Sequence, residues 1–173
     1  SDGYTLGTDA QINGSGGTYV AWNWKAGGSA SSNSNGSITS QVSANVDAGF
    51  SIVSYTALDS DETVGHGLSQ KPELVLVKRR NSTGNWVSHW TNLTTTNKQL
   101  YLNLTNALDS NNINSVGAST FRVNGWADVA TANGTYISYC FHSVDGYSKV
   151  GSYVGNGNVD GPMVNLGFKP KFM

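Results

Sequence analysis

The sequence predicts an all-β chain, an antiparallel β-sandwich of jelly-roll type, and three observations predict it. Apolar and polar residues alternate with a period of two through most segments that carry large side chains, which is the pattern of half-buried strands. Between those segments lie Asn-Gly, Asp-Gly and Ser-rich clusters such as Asn13-Gly14, Asn35-Gly36, Asn124-Gly125 and Asn133-Gly134, which favour turns with positive φ. The 173 residues include 21 Gly but only 3 Pro, with 10% aromatic and 12% charged residues, so many short strands can be joined by tight turns.

The elements follow in order. From Thr18 to Trp24, the residues Thr18, Val20, Trp22 and Trp24 share one face, and their size assigns that face to the core. Residues 26–47 are rich in Gly, Ser and Asn and bury little apolar surface, so a linker or long surface loop is expected, with a strand pattern inside it at Ser37 to Val42. Strands are predicted at Phe50 to Thr56, Leu74 to Lys78, Trp86 to Trp90, Gln99 to Leu104 and Thr120 to Val123. Thr135 to Phe141 repeats the alternation of the Thr18 segment, placing Thr135, Ile137, Tyr139 and Phe141 on the expected core face. Asn106 to Asp109 carries the one hint of a helical turn.

The chain also repeats itself. Gly17-Thr18-Tyr19-Val20-Ala21-Trp22-Asn23-Trp24 returns as Gly134-Thr135-Tyr136-Ile137-Ser138-Tyr139-Cys140-Phe141, 117 positions later. Gly49-Phe50-Ser51-Ile52-Val53-Ser54-Tyr55-Thr56 returns from Gly146 to Val154, and Val64-Gly65-His66-Gly67-Leu68 before Pro72 returns as Val164-Asn165-Leu166-Gly167-Phe168 before Pro170. The phrases keep a cyclic order, the mark of a tandem array. The expected organisation is 1–25 as the closing strands of one repeat, 26–47 as linker, 48–142 as a complete unit, and 143–173 as the opening strands of the next. The two end pieces would then pair with each other or dock on the 48–142 unit, since two- or three-strand fragments are marginal alone.

Charge and cysteine usage narrow the function. A net charge of −1 offers no footprint for duplex nucleic acid, and Lys78-Arg79-Arg80 reads as a solvated strand end. No segment is long and apolar enough for a membrane helix. Cys140 is the single cysteine, so no internal disulfide forms, and it reads as a filler residue.

Several phrases carry a resemblance: Ser1-Asp2-Gly3-Tyr4-Thr5-Leu6-Gly7, Gly17 to Gly28, Gly65-His66-Gly67-Leu68 running to Pro72-Glu73-Leu74-Val75-Leu76-Val77-Lys78-Arg79, and Tyr139-Cys140-Phe141-His142-Ser143-Val144-Asp145-Gly146-Tyr147-Ser148-Lys149. The chain resembles a repeat domain of large structural proteins encoded by marine bacteriophages beside tail or fibre genes. The resemblance implies a virion-appendage context, a lectin-like β-sandwich, and no catalytic residues.

Chemistry-bearing constellations are sparse. The carboxylates sit mostly in turn contexts, without a recognisable pair across a cleft, and no nucleophile-elbow motif is present. His66, His89 and His142 lack metal-ligand spacing, and a hydrogen-bonded structural role suits each better. Asp59-Ser60-Asp61-Glu62 lacks the spaced pattern of a calcium loop and reads as a solvated turn. No cofactor, metal or enzymatic activity is expected. The aromatic residues are the better candidates. If Val87 and His89 point inward, Trp86 and Trp90 point out, and Trp126 with Asp128 lies in another exposed-looking turn. A flat ring beside a carboxylate or amide suits a sugar, whose ring stacks while its hydroxyls are hydrogen-bonded. The alternative is that these rings fill the core or an interface between units. Expected partners are other copies of the chain or other virion proteins, with surface glycans as a further candidate. A carbohydrate-binding or adhesive repeat of a secreted or cell-surface bacterial protein is the competing class.

Overall fold

The computed structural model describes residues 3–58, 61–92, 98–110 and 113–173. Among the described residues the strands are β1 (Ser31–Asn33), β2 (Ser40–Asn45), β3 (Phe50–Thr56), β4 (Glu62–Gly65), β5 (Leu74–Arg79), β6 (Trp86–Trp90), β7 (Lys98–Tyr101), β8 (Asp109–Ser110), β9 (Ile113–Val116), β10 (Thr120–Val123) and β11 (Thr135–Phe141). The helix α1 (Ala10–Asn13) is a single turn. Eight strands form one sheet in the order β1-β2-β3-β11-β5-β6-β7-β8, and three form another in the order β4-β10-β9. Every pairing within both sheets is antiparallel.

One core lies between the two layers. Val53, Val75, Val77, Val87 and Tyr136 of the large sheet meet Val64, Ile113, Phe121 and Val123 of the small one, all at 1% exposure or less. Period-two patterning explains this: in β5 the residues Val75 and Val77 are buried while Leu74, Leu76 and Lys78 are half-exposed. Tyr55 and Tyr136, cross-strand partners on β3 and β11, stack at 5.2 Å, and Phe121 meets Tyr55 edge-on at 6.2 Å. Each buried phenol has a partner, Tyr55 Oη donating to the Val129 carbonyl and Tyr136 Oη to the Ala127 carbonyl.

The two-layer antiparallel β architecture matches the sequence reading, but several particulars differ. Residues 26–47 are not a free linker: β1 and β2 extend the large sheet, and Ile38, Ser40 and Val42 are buried. The β body therefore begins at Ser31, earlier than residue 48. Asn106 to Asp109 forms no helical turn, and Asp109 instead starts β8. The Thr18–Trp24 segment forms no strand, and Val20, Trp22 and Trp24 are 77%, 62% and 47% exposed rather than buried. In β11 the faces are reversed from expectation. Tyr136, Ser138 and Cys140 are buried, while Thr135, Ile137, Tyr139 and Phe141 are half-exposed. The small Ser138 and Cys140 leave room for the second layer, and the Ala127 carbonyl accepts the Tyr136 hydroxyl, so side-chain size misled the assignment of faces. Segment 143–173 likewise forms no strand beyond an isolated bridge between Val144 and Ser148.

The N-terminal segment nevertheless has a definite local fold. Ile12 and Asn13 amides donate to the Asp9 carbonyl at 3.1 and 2.8 Å, and the Gly17 amide to the Gly14 carbonyl at 3.1 Å. At an offset of 117 positions, the Val129 and Ala130 amides donate to the Trp126 carbonyl at 2.9 and 2.7 Å, and the Gly134 amide to the Thr131 carbonyl at 2.7 Å. Tyr19 Oη donates to the Ala10 carbonyl and Tyr136 Oη to the Ala127 carbonyl, both at 3.0 Å. Left-handed backbone falls at Gly16 (φ 75°) and Asn133 (φ 59°), the matching positions. Residues 9–19 thus reproduce four hydrogen bonds of the turn that leads into β11, and add two of their own, from the Gln11 amide to Asp9 Oδ1 and from the Gly14 amide to Tyr19 Oη. Their surroundings differ: Tyr136 is fully buried, whereas Tyr19 is 49% exposed.

His66 is an internal brace. Its Nδ1 accepts the Leu68 amide at 3.2 Å, which places the proton on Nε2, 3.3 Å from the Gly117 carbonyl. Burial lowers its pKa, opposed by that carbonyl, and burial lowers His89 too, opposed by the Lys98 carbonyl. The unfolded chain takes up these protons near pH ~6.5 while the folded chain does not. The stability contributed by the neutral rings is therefore full above that pH and lost as pH falls toward the lowered folded values. We expect the thermal midpoint to drop between pH 7.5 and pH 5; an unchanged midpoint would contradict buried neutral rings.

Candidate functional site

The large sheet has one face against the core and one facing outward, and most side chains on the outward face are apolar or aromatic. Its cross-strand rows follow from the registers of β3, β11, β5 and β6. One row runs Phe50, Phe141, Leu74, Trp90; the next Ile52, Tyr139, Leu76, Ser88; the third Ser54, Ile137, Lys78, Trp86. Val87 is fully buried and His89 nearly so, which turns Trp86 and Trp90 outward as the alternation requires.

Trp86 lies nearly parallel to Tyr139, at 6.3 Å and 22°, so the two rings form one offset platform. Lys78 is directly opposite Trp86 in the register, with its ammonium 3.1 Å from the Arg79 carbonyl. Trp90 is four residues along β6, roughly 13 Å away at strand rise, and its indole N–H donates to Ser88 Oγ at 3.3 Å. At the end of the face nearer Phe141, Trp24 packs edge-on over Phe141 at 6.1 Å, beside the row neighbour Phe50, 4.8 Å from Phe141. The Trp86–Tyr139 end carries no such ring over it among the described residues.

Asp128 belongs to a polar bracket at the start of β6. Its carboxylate accepts both the Asn85 amide at 2.8 Å and Asn85 Nδ2 at 3.0 Å. Asn103 Oδ1 then accepts the Trp86 amide at 2.9 Å, and Asn103 Nδ2 donates to Asn85 Oδ1. Asp128 thus positions the strand that carries Trp86. Trp126 is 59% exposed in the turn before it, where its carbonyl holds the Val129 and Ala130 amides. Of the four residues singled out in the sequence, Trp86 and Asp128 share this network, Trp90 lies at the far end of the same strand, and no contact joins the Trp126 ring to them among the described residues.

Tyr139 and Lys78 were missed as members of this face. Lys78 was a readable signal, because it shares parity with Leu74 and Leu76 and so marks their side of β5 as outward. Other candidates resolve into structural roles. Cys140 is fully buried, and burial pushes its thiol up to about 12, leaving it unreactive. Asp59 and Ser60 lie outside the described residues; Asp61 pairs with Arg122 on the surface, and Glu62 is buried, accepting the Leu58 amide. Among the described residues, no cluster of three or more His, Cys, Asp or Glu side chains could hold a metal, and no helix is long and apolar enough to cross a membrane. An open groove of about 800 Å³ between Lys25–Gly28 and Ala44–Asp47 has no aromatic or histidine side chain in its lining.

A family model described as a domain of unknown function (DUF7483) matches residues 1–173. The chain belongs to that family. No curated protein and no solved structure matches it. The DUF7483 chain thus offers an aromatic sheet face, a polar bracket that orients it, and two end segments rich in uncovered apolar side chains.

Proposed function

We propose that this domain is a non-enzymatic structural repeat of a phage virion appendage, a tail, a fibre or another surface fibre. The observation that carries the reading is the doubled local structure. Residues 9–19 repeat the hydrogen bonds of residues 126–136 at a constant offset, as expected of a chain built from serial copies of one unit. Quasi-one-dimensional arrays of this kind serve as stalks, shells and fibres. The resemblance of the quoted phrases to phage structural repeats gives the array its setting, on the virion. The fold type proposed is a lectin-like sandwich. A jelly roll winds eight strands as two Greek keys across a double sheet, whereas eight of the strands here lie in one sheet, so we narrow the proposal to the lectin-like two-layer form.

A second reading has its own observation, the outward Trp86–Tyr139 platform beside Lys78. Such a surface suits contact with host-surface glycans, either on a virion or as an adhesive repeat of a secreted bacterial protein. An antibody to the purified chain should decorate tails or fibres of particles made by the encoding genome. A full-length gene with a secretion signal or a neighbouring sortase, and no particle decorated, would favour the bacterial adhesin.

A further inference from the structure

The two ends of the chain carry the sequences of strands that are neighbours in the large sheet. β11 lies between β3 and β5. Thr18–Trp24 corresponds to β11, Tyr147–Val154 to β3, and Lys171–Met173, following Pro170, to the opening of β5 after Pro72. Left-handed glycines recur at the matching turns, Gly49 (φ 63°) with Gly146 (φ 72°) and Gly67 (φ 70°) with Gly167 (φ 80°).

The cross-strand pairs transfer as well. Phe50 faces Phe141 and Tyr55 faces Tyr136 in the observed register. Allowing for the extra Gly151, the corresponding pairs are Tyr147 with Trp24 and Tyr153 with Tyr19, so aromatic meets aromatic in both sets. The third pair is already present in part. Leu74 faces Phe141, the counterparts of this pair are Phe172 and Trp24, and those two rings lie 5.9 Å apart, with Trp22 also against Phe172 at 5.2 Å.

Within one chain this pairing goes no further. Neither segment forms a strand, and no backbone hydrogen bond joins them among the described residues. Trp24 is drawn instead onto its own Phe141, next to a stretch pinned along β2. There Lys25 and Gly28 carbonyls accept Asn45 Nδ2 and Ser43 Oγ, and Gly27 presses so close to Ala44 that any side chain in its place would collide with the Ala44 carbonyl. Tyr153, Val154 and Val20 remain 71%, 87% and 77% exposed. Charge does not oppose association, because Thr18–Trp24 has no charged residue and Tyr147–Val154 has only Lys149.

We propose that Thr18–Trp24 of one copy enters as a strand between Tyr147–Val154 and Lys171–Met173 of a second copy of this chain. The exchange replaces the contact that Phe172 now makes with its own Trp24 by the equivalent contact between copies, and adds the two aromatic pairs a single copy leaves unmade. The proposal rests on the repeat reading above and names its joint.

The register supplies the test. Ser138 faces Val53, so Ala21 should face Val150. Two variants of the full chain, Ala21→Cys and Val150→Cys, are mixed and oxidised; native Cys140 is buried and does not compete. A disulfide-linked heterodimer should form roughly tenfold faster than with the off-face control Val20→Cys, since directly opposed residues meet disulfide geometry. Sedimentation of the unmodified chain should show concentration-dependent association. A bond that forms only inside a chain carrying both substitutions would overturn pairing between copies while leaving the repeat reading intact. No on-register bond in either arrangement would overturn the proposal together with the strand equivalence beneath the repeat reading. A strictly monomeric unmodified chain would overturn pairing between copies alone.

Discussion

Replacing Phe121 by Ala is expected to cost about 3–5 kcal/mol of folding stability. Phe121 is fully buried on β10, the middle strand of the small sheet, and its ring meets Tyr55 edge-on, with Tyr55 in turn stacked on Tyr136. Truncation would remove a whole aromatic ring from the layer interface and leave a void that strands anchored in two sheets cannot close. Domains of this size hold about 5–15 kcal/mol in total, so a large share of the folded population should be lost at moderate urea. Urea unfolding of the variant measures it. A loss below about 1 kcal/mol, the range of ordinary surface changes, would mean that the small sheet does not pack on the large one.

The second large effect is a contrast between two tyrosines whose hydroxyls donate to equivalent carbonyls. Tyr136→Ala should cost about 3–5 kcal/mol, because its ring is fully buried between the layers and stacked on Tyr55. Tyr19→Ala removes the matching hydrogen bond, at the same 3.0 Å, yet should cost under about 1 kcal/mol in dilute solution because its ring is half in water. Burial, rather than the phenol's hydrogen bond, decides the difference. Comparable losses at both positions in dilute solution would show that residues 9–24 are already packed as a second core.

The same contrast explains which parts of the fold were legible in the sequence. Phe50–Thr56, Trp86–Trp90 and Thr120–Val123 were readable to the residue, because alternating side chains and flanking turns point to one answer. Thr18–Trp24 has equally good alternation but remains coil, since a strand needs neighbours and those of β11 are formed by distant segments. The face of β11 was misread because its largest apolar residues, Ile137, Tyr139 and Phe141, form the outer surface while Ser138 and Cys140 fill a close-packed interior. β1 was hidden in a Gly- and Ser-rich stretch, whereas β2 was legible in part, since the strand pattern at Ser37 to Val42 overlaps it from Ser40. Ser40 fits there because its hydroxyl donates to the Gly65 carbonyl, a partner invisible in local composition. In the candidate site, Trp86 and Trp90 could be placed outward from the parity of Val87 alone. The role of Asp128 could not, because its partner Asn85 is 43 positions away.

Amide hydrogen exchange of the full chain, followed at Thr18–Trp24 and Tyr147–Val154 across a concentration series, tests the repeat account most directly. At low concentration both segments should exchange at nearly unprotected rates while β3 and β11 stay protected. As copies associate, protection should appear in both segments together, and along Thr18–Trp24 it should be continuous, as expected for β11, which is paired on both sides. Amides that stay unprotected at every concentration, or that are protected equally in the isolated monomer, would contradict pairing of the ends between copies.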